Sequence, residues 1–325
     1  MTLEVPTKNS SSSNAKLKLE SHTKFWLEPE SAAESAFLKL PGNCAEELIA
    51  TARKGGEKTI LNTSGLTATK AFVVDVAKHL ASDAPGMAVV EQFPVGELTE
   101  SQNKYVCQLF SQLIGPLISQ DVNNTLLYDV KNKHVVDPLK VRKSITNLAQ
   151  PFHTDGGWLT TPARVIGLFC ISNAVQGGGS EMTSLIKAYE ELQRLYPQEA
   201  AALRKPLPWN KQGEHAKDEQ PWEMNPLFEN VDTGFMGRYY ESYVTSGYGL
   251  MGQEIDSSVS AALQILKSII EKQPRFAMTL KAGDFQLVNN WTTVHARKEF
   301  KDSGDLTAID QAAPQSRHLI RVWCE

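Results

Sequence analysis

From Pro151 to the C-terminus the chain is built of short apolar runs separated by Gly, Asn and Asp, and this texture constrains the fold more than any other feature. The runs 165–171, 276–280, 285–288 and 318–323 are each long enough for one strand and too short for a helix, the pattern of a β-rich core. Upstream, 44–114 reads mainly as helix. Within 69–80, Phe72, Val73, Val76, Ala77 and Leu80 recur at helical spacing, and Thr99 with Gln102 three residues on forms a capping box. Between these helices Gly86-Met87-Ala88-Val89-Val90 is predicted to be a short buried strand. Two further helices, 183–195 and 256–272, interrupt the β-rich part, the second with Asp256 as its N-cap. The polar stretch 206–226, rich in Pro and Trp, follows neither period and reads as a long surface excursion of the kind that serves as a lid. No linker divides the chain, so 21–325 is expected to form a single domain. Residues 1–20, with the run Asn9-Ser10-Ser11-Ser12-Ser13-Asn14, are expected to be a mobile tail.

Composition removes several classes of function. A net charge of -4 supplies no basic footprint for nucleic acid. No apolar stretch approaches membrane-spanning length, and the N-terminus lacks the apolar h-region of a secretory signal. Cys44, Cys107, Cys170 and Cys324 stand far apart without a CxxC, which argues against a disulfide framework and a thiolate metal site and suits a cytoplasmic protein. The expected partner is a small molecule, with no nucleic acid and no membrane. Nothing in the sequence bears on oligomeric state.

The chemistry concentrates in His153-Thr154-Asp155, followed far downstream by His295 and then Arg317. Alternation along a strand puts positions 153 and 155 on one side, where both can reach one ion. Two imidazoles and one carboxylate are the facial set that leaves the opposite positions of a non-haem Fe(II) open. An HxD pair alone is a weak signal, but its surroundings strengthen it. Pro151-Phe152 bring an apolar strand into the site, and Gly156-Gly157 let the backbone turn directly after Asp155. His295 ends a segment that starts at the turn Gly283-Asp284 and continues as the strand 285–288. In 317–323, alternation puts Arg317, Leu319, Arg321 and Trp323 on one face. Inward arginines need anionic partners, and Arg317 is suited to grip a dicarboxylate in a bidentate fork. Arg297 is the nearer competitor, set aside because Lys298-Glu299 follow it while Arg317 opens an apolar strand. Gln176-Gly177-Gly178-Gly179-Ser180 lacks the lysine of a phosphate loop, and Ser180 offers a hydroxyl to a carboxylate instead.

Taken together, "PFHTDGG" at 151–157, "CISNAVQGGGS" at 170–180, "GDFQLVNNWTTVHAR" at 283–297, "RHLIRVW" at 317–323 and "GMAVVEQFPVGELTE" at 86–100 resemble the TauD/TfdA, taurine dioxygenase-like family of Fe(II)/2-oxoglutarate oxygenases, in the clavaminate synthase-like superfamily. The resemblance implies a double-stranded β-helix, a jelly roll with flanking helices. It implies iron ligands at His153, Asp155 and His295, 2-oxoglutarate contacts from Arg317 and Ser180, and a substrate anion at Arg321. Arg164 and Arg238 are further candidates for the substrate, and the run 236–243 reads either as a segment near it or as an aromatic core stripe. Asn289 and Asn290 are expected to buttress the loop before His295. The implied reaction decarboxylates 2-oxoglutarate to succinate with O2 and hydroxylates an unactivated C–H bond of a small molecule; desaturation and cyclisation are open to the same enzyme class. Asp155 separates the chain from related halogenases, which have Gly or Ala there. An amino acid or a derivative of one in natural-product biosynthesis is the expected substrate. A catabolic sulfonate or aryloxyacid dioxygenase, a zinc-dependent hydrolase with the same ligands, and a silent binding module are the competing readings.

Overall fold

A computed structural model describes residues 25–28, 33–55, 61–137, 141–232, 234–305 and 316–325. The expected N-terminal tail, 1–20, lies outside them.

Ten strands form two facing sheets: β1 (Phe37–Lys39), β2 (Met87–Glu91), β3 (Tyr128–Val130), β4 (Gln150–His153), β5 (Val165–Ser172), β6 (Ser180–Ser184), β7 (Phe276–Met278), β8 (Phe285–Asn289), β9 (Thr293–Arg297) and β10 (His318–Cys324). The major sheet has the order β1-β2-β8-β5-β10-β3, with β1 and β2 parallel and its other neighbours antiparallel. The minor sheet has the order β7-β6-β9-β4 and is antiparallel throughout. From β3 onward each strand crosses to the other sheet except at β6–β7, the connectivity of a jelly roll, and side chains from distant parts of the chain converge between the sheets.

The helical reading of the first third holds. Helices α1 (Gly42–Ala52), α2 (Thr67–His79) and α3 (Glu100–Ile114) carry one apolar face each. From α3, Tyr105, Val106, Leu109 and Phe110 pack into one core with Phe169, Phe285, Ile320 and Val322 of the major sheet. Edge-to-face contacts of Phe93 with Phe110 and with Phe169, both 5.1 Å between ring centroids, lock that layer. The Thr99–Gln102 capping box forms as predicted. Ala77, expected on the buried side of α2, is exposed; Thr69, Val73, Val76 and Leu80 make the buried stripe. On the other side of the molecule, α4 (Leu185–Leu195), capped by Ser184, lies among the core residues shared with α7 (Ser257–Lys272), capped by Asp256. Between them come α5 (Pro197–Ala202) and α6 (Glu241–Leu250), and the sequence signalled neither.

The stretch 206–226 is not the open excursion its polarity suggests. Leu207–Asn210 pairs antiparallel with Trp222–Asn225 in a two-stranded ribbon. Trp209 is fully buried in it, donating its indole N–H to Asn225 O, and its ring lies so close under Gly157 that even a methyl there would come within 2.5 Å of it. Burial of the apolar run Leu207-Pro208-Trp209 outweighed the polar composition of the whole. Only the tip, 211–221, extends as a loop.

Candidate active site

Antiparallel pairing of β4 and β9 sets His295 directly opposite His153, and their ring centroids are 4.2 Å apart. Asp155 joins them by a different route from the one predicted. It lies just past the end of β4, in a turn. Thr154 N donates to Tyr239 O at 2.8 Å and Tyr239 N donates back to Thr154 Oγ1 at 2.9 Å, pinning the chain where the strand ends. Gly156 then takes φ +66°, the left-handed region that favours glycine, and a Cβ there would also meet the Trp323 ring at 3.3 Å. Asn290, wholly buried, holds the carboxylate's own backbone: its Oδ1 accepts from Asp155 N at 2.8 Å and its Nδ2 donates to Asp155 O and Ala163 O, both at 3.0 Å. Asn289 likewise bonds Leu80 O, Gly86 O and Trp291 N. The asparagine pair is therefore part of the scaffold.

Asp155 Oδ1 stands 3.3 Å from His153 Nε2 and 3.9 Å from His295 Nε2. Donors about 2 Å from one ion and at about a right angle to each other lie about 3 Å apart, so these distances fit a shared ion. One ligand atom from each of the three residues falls within 4.8 Å of the other two. His153 Nδ1, 3.0 Å from Pro151 O, is placed to donate to it, which leaves Nε2 as the lone-pair nitrogen. The Gln150 amide lies 2.7 Å from that same Nε2. Burial first, then the neighbouring His153, pushes His295 down to about 3 against the pull of Asp155, so it is neutral at physiological pH as a ligand must be. Burial opposes the charge on Asp155, but the Arg321 guanidinium beside it outweighs burial and holds the carboxyl well below the usual range. The set is chemically that of a metal centre. A second group, Glu100, Asp129 and His318, has the spacing but also Lys104, 3.1 Å from Asp129, so it is a partly exposed ion-pair cluster.

Behind the triad, Ser180, Gln286, Arg297, Arg317 and Arg321 line the same cavity. The two competing arginines differ sharply. Arg297 Nη2 donates to the carbonyls of Lys143, Thr146 and Leu148, while its Nε is buried without a partner. Arg317 is 2% exposed, lies over the Phe300 ring at 5.2 Å, and has Nη1 buried with no hydrogen-bond partner. Burial lowers it to about 10, leaving it charged at neutral pH. Gln286 Oε1 is also buried and unpaired in this cavity. A buried cation short of a partner beside a metal-ligand set marks a place for an anionic group, and the Gln286 oxygen marks a place for a hydrogen-bond donor.

The remaining candidates separate. Arg321 lines the cavity, but its Nη1 is 3.1 Å from Asp155 Oδ2 and its Nε donates to Gln120 Oε1 at 2.7 Å. Arg164 lies over the Trp291 ring at 5.5 Å and does not line the cavity. Arg238 is fully buried elsewhere, its guanidinium held by Glu229 and by the carbonyls of Pro226 and Thr160. Both expectations for substrate contact are thus corrected: Arg164 lies outside the cavity, and Arg238, held by a carboxylate and backbone carbonyls, is a strut. The run 236–243 divides. Tyr239 packs in the core, while Tyr240 and Tyr243, stacked at 4.1 Å, line the mouth with Trp158 and Arg142. Arg142 had no sequence signal; it pairs with Glu214 from the ribbon tip, whose other oxygen accepts from Val122 N at 2.8 Å. Gln286 and Trp323 were also missed as site residues, although alternation in 317–323 already put Trp323 on the arginine face.

The described helices include none long and apolar enough to cross a membrane. Among curated proteins, the chain is 24% identical over 242 residues to FR-33289 synthase of Streptomyces rubellomurinus, covering 73% of this chain and 68% of that protein. It is 29% identical over 178 residues to taurine hydroxylase-like protein SAT17 of Stachybotrys chartarum, spanning 53% of this chain and 41% of that one. Among solved structures, asparagine oxygenase with Fe(II), 2S,3S-3-hydroxyasparagine and succinate superposes with TM-score 0.66 at 15% identity, over 89% of this chain and 93% of that one. The non-heme iron oxygenase OrfP with Fe and alpha-ketoglutaric acid superposes with TM-score 0.65 at 14% identity, over 88% and 92%. These neighbours share the double-stranded β-helix core. The family model for taurine catabolism dioxygenase TauD, TfdA family matches residues 75–323, and the chain belongs to that family.

Proposed function

We propose that the protein is an Fe(II)/2-oxoglutarate-dependent hydroxylase acting on an amino acid or an amino-acid-derived intermediate in natural-product biosynthesis. His153, Asp155 and His295 would hold the iron. Bound there, iron and 2-oxoglutarate supply O2 activation coupled to decarboxylation. Arg317, with Ser180 beside it, receives the far carboxylate of 2-oxoglutarate, and Gln286 adds a polar contact. The observation that carries the reading is the buried, partner-short Arg317 guanidinium in one cavity with a metal-ligand set. A zinc hydrolase has no use for such a group. The substrate enters past Tyr240, Tyr243 and Trp158, which offer aromatic walls, with Arg142 in its ion pair with Glu214 at the rim. Asparagine oxygenase and FR-33289 synthase among the similar proteins favour a free amino acid or a biosynthetic intermediate over a catabolic sulfonate.

The test is anaerobic addition of Fe(II) and 2-oxoglutarate, read by the visible band of the chelate. Succinate formation and product mass are then followed against a panel of amino acids and sulfonates. A new hydroxyl on an amino-acid-type compound is the expected result. Substrate-stimulated succinate only with sulfonates would replace the biosynthetic reading with the catabolic one, and no chelate band would remove the oxygenase reading altogether.

A further inference from the structure

We infer that Trp323 and Arg321 are positioning residues for the metal-ligating carboxylate: together they occupy one oxygen of Asp155 so that the other alone meets the ion. The inference rests on the metal reading of the triad and says what makes that triad a one-oxygen-per-carboxylate set.

Asp155 has two oxygens in different surroundings. Oδ1 is the atom 3.3 Å and 3.9 Å from the two imidazole nitrogens. Oδ2 is turned the other way, accepting the Trp323 indole N–H at 2.9 Å and lying 3.1 Å from Arg321 Nη1. One charge-assisted hydrogen bond, from the indole, and one ion pair, with the guanidinium, occupy that oxygen. Rotating the carboxyl to bring both oxygens onto an ion would break both, leaving a buried indole N–H unpaired and the Arg321 cation without its anionic partner. The same argument removes Arg321 from free service to a substrate anion.

The donors are themselves held. Arg321 Nε donates to Gln120 Oε1 at 2.7 Å, and Gln120 Nε2 returns to Arg321 O at 2.8 Å and to Leu126 O at 2.9 Å, closing a ring around the arginine. The guanidinium lies over both the Tyr128 and Trp323 rings, at 5.0 and 5.3 Å. Trp323 is 2% exposed, and glycine at 156 leaves room for its ring against the turn that carries Asp155. Alternation along β10 puts both donors on one face, so a single strand delivers the clamp.

Ligand-supporting contacts of this kind are worth ten- to a hundredfold in metal affinity. The experiment is anaerobic titration of the full-length protein with Fe(II) alone, and with Co(II) for its absorption spectrum, in wild type, Trp323→Phe, Arg321→Met and Trp26→Phe. Trp323→Phe keeps most of the ring and deletes the N–H. Trp26→Phe is the control: it also deletes a buried indole bond, to Pro85 O at 2.9 Å, outside the metal cavity. Fe(II) affinity is expected to fall ten- to a hundredfold in Trp323→Phe and Arg321→Met, with an altered Co(II) spectrum, and to stay at the wild-type value in Trp26→Phe. Wild-type affinity and spectrum in Trp323→Phe, or equal losses in Trp323→Phe and Trp26→Phe, would overturn the clamp while leaving the metal site standing. A wild type that binds no Fe(II) would overturn both.

Discussion

Replacing Arg317 with methionine should separate the two costs that a buried functional cation imposes. In the ligand-free protein the guanidinium is held at about 10 instead of 12.5, chiefly by burial, with Cys170 and Asp302 offsetting part of it. That lowering corresponds to about 3 kcal/mol against the charged form. Methionine fills much of the same space without a charge, and the bond from the residue's backbone N–H to Asp302 Oδ1 survives the change. Ligand-free Arg317→Met is therefore expected to unfold at or above the wild-type temperature. With 2-oxoglutarate the order reverses. A buried carboxylate deprived of its guanidinium costs about 3–5 kcal/mol, which is roughly a hundred- to several-thousandfold in Kd. Calorimetric titration of the Fe(II)-loaded proteins reads this directly. Thermal unfolding reads it again, since saturating 2-oxoglutarate at about a hundred times Kd should stabilise wild type by roughly 2.7 kcal/mol and leave the variant unmoved. Arg297→Met supplies the contrast, because it strips Lys143, Thr146 and Leu148 of a shared donor and should lose stability with little change in cosubstrate affinity. The reasoning fails if Arg317→Met binds 2-oxoglutarate within a few-fold of wild type, or if Arg297→Met shows the larger loss of affinity.

Other consequences are open to equally direct measurement. Asn290→Ala removes three buried hydrogen bonds at the Asp155 turn and should cost about 2–4 kcal/mol in chemical denaturation; a loss below about 0.5 kcal/mol would show that the turn holds its shape unaided. Chelation of the metal should abolish succinate formation, with Fe(II) restoring it and redox-inert Zn(II) not; succinate formation that survives chelation would remove the metal from the reaction. Asp155→Ala should bind Fe(II) too weakly to recover by dialysis, and retention of a full equivalent would remove the carboxylate from the ligand set. Asp129, in the ion-pair cluster outside the cavity, is held below its ordinary value first by the His318 hydrogen bond, against burial, and then by Lys104. A depressed carboxyl contributes its full stability above its unfolded pKa of about 4 and loses it progressively as pH falls from there toward its much lower folded pKa. Asp129→Asn should therefore destabilise the protein at pH 7, with a penalty that starts to shrink only below about pH 4 and is still partly present at pH 3; a penalty independent of pH would point to packing instead.

What was legible in the sequence was what depends on local rules. Caps at Thr99 and Asp256, the periodicity of α2, and the apolar runs of β5, β8 and β10 are satisfied within a few residues, and they appear as read. The candidate triad and Arg317 were legible because residue types and order carry them: two histidines on paired strands, with a carboxylate and an arginine beside strand ends. What the sequence did not determine depends on partners far away. Asp155 was expected on a strand, but reaches the histidines from a turn because Tyr239 holds Thr154 and Asn290 holds Asp155 itself, contacts separated by 85 and 135 residues. Arg164 and Arg238 looked like substrate contacts only while their neighbours were unknown; Arg238 is held by Glu229 and two carbonyls. Trp209 turned a polar stretch into a buried ribbon, and Arg142 became a mouth residue only through Glu214, itself on that ribbon's tip. A side chain's chemistry is written in its residue type, whereas whether that chemistry is free to act is set by which donors and acceptors folding brings within about 3 Å of it.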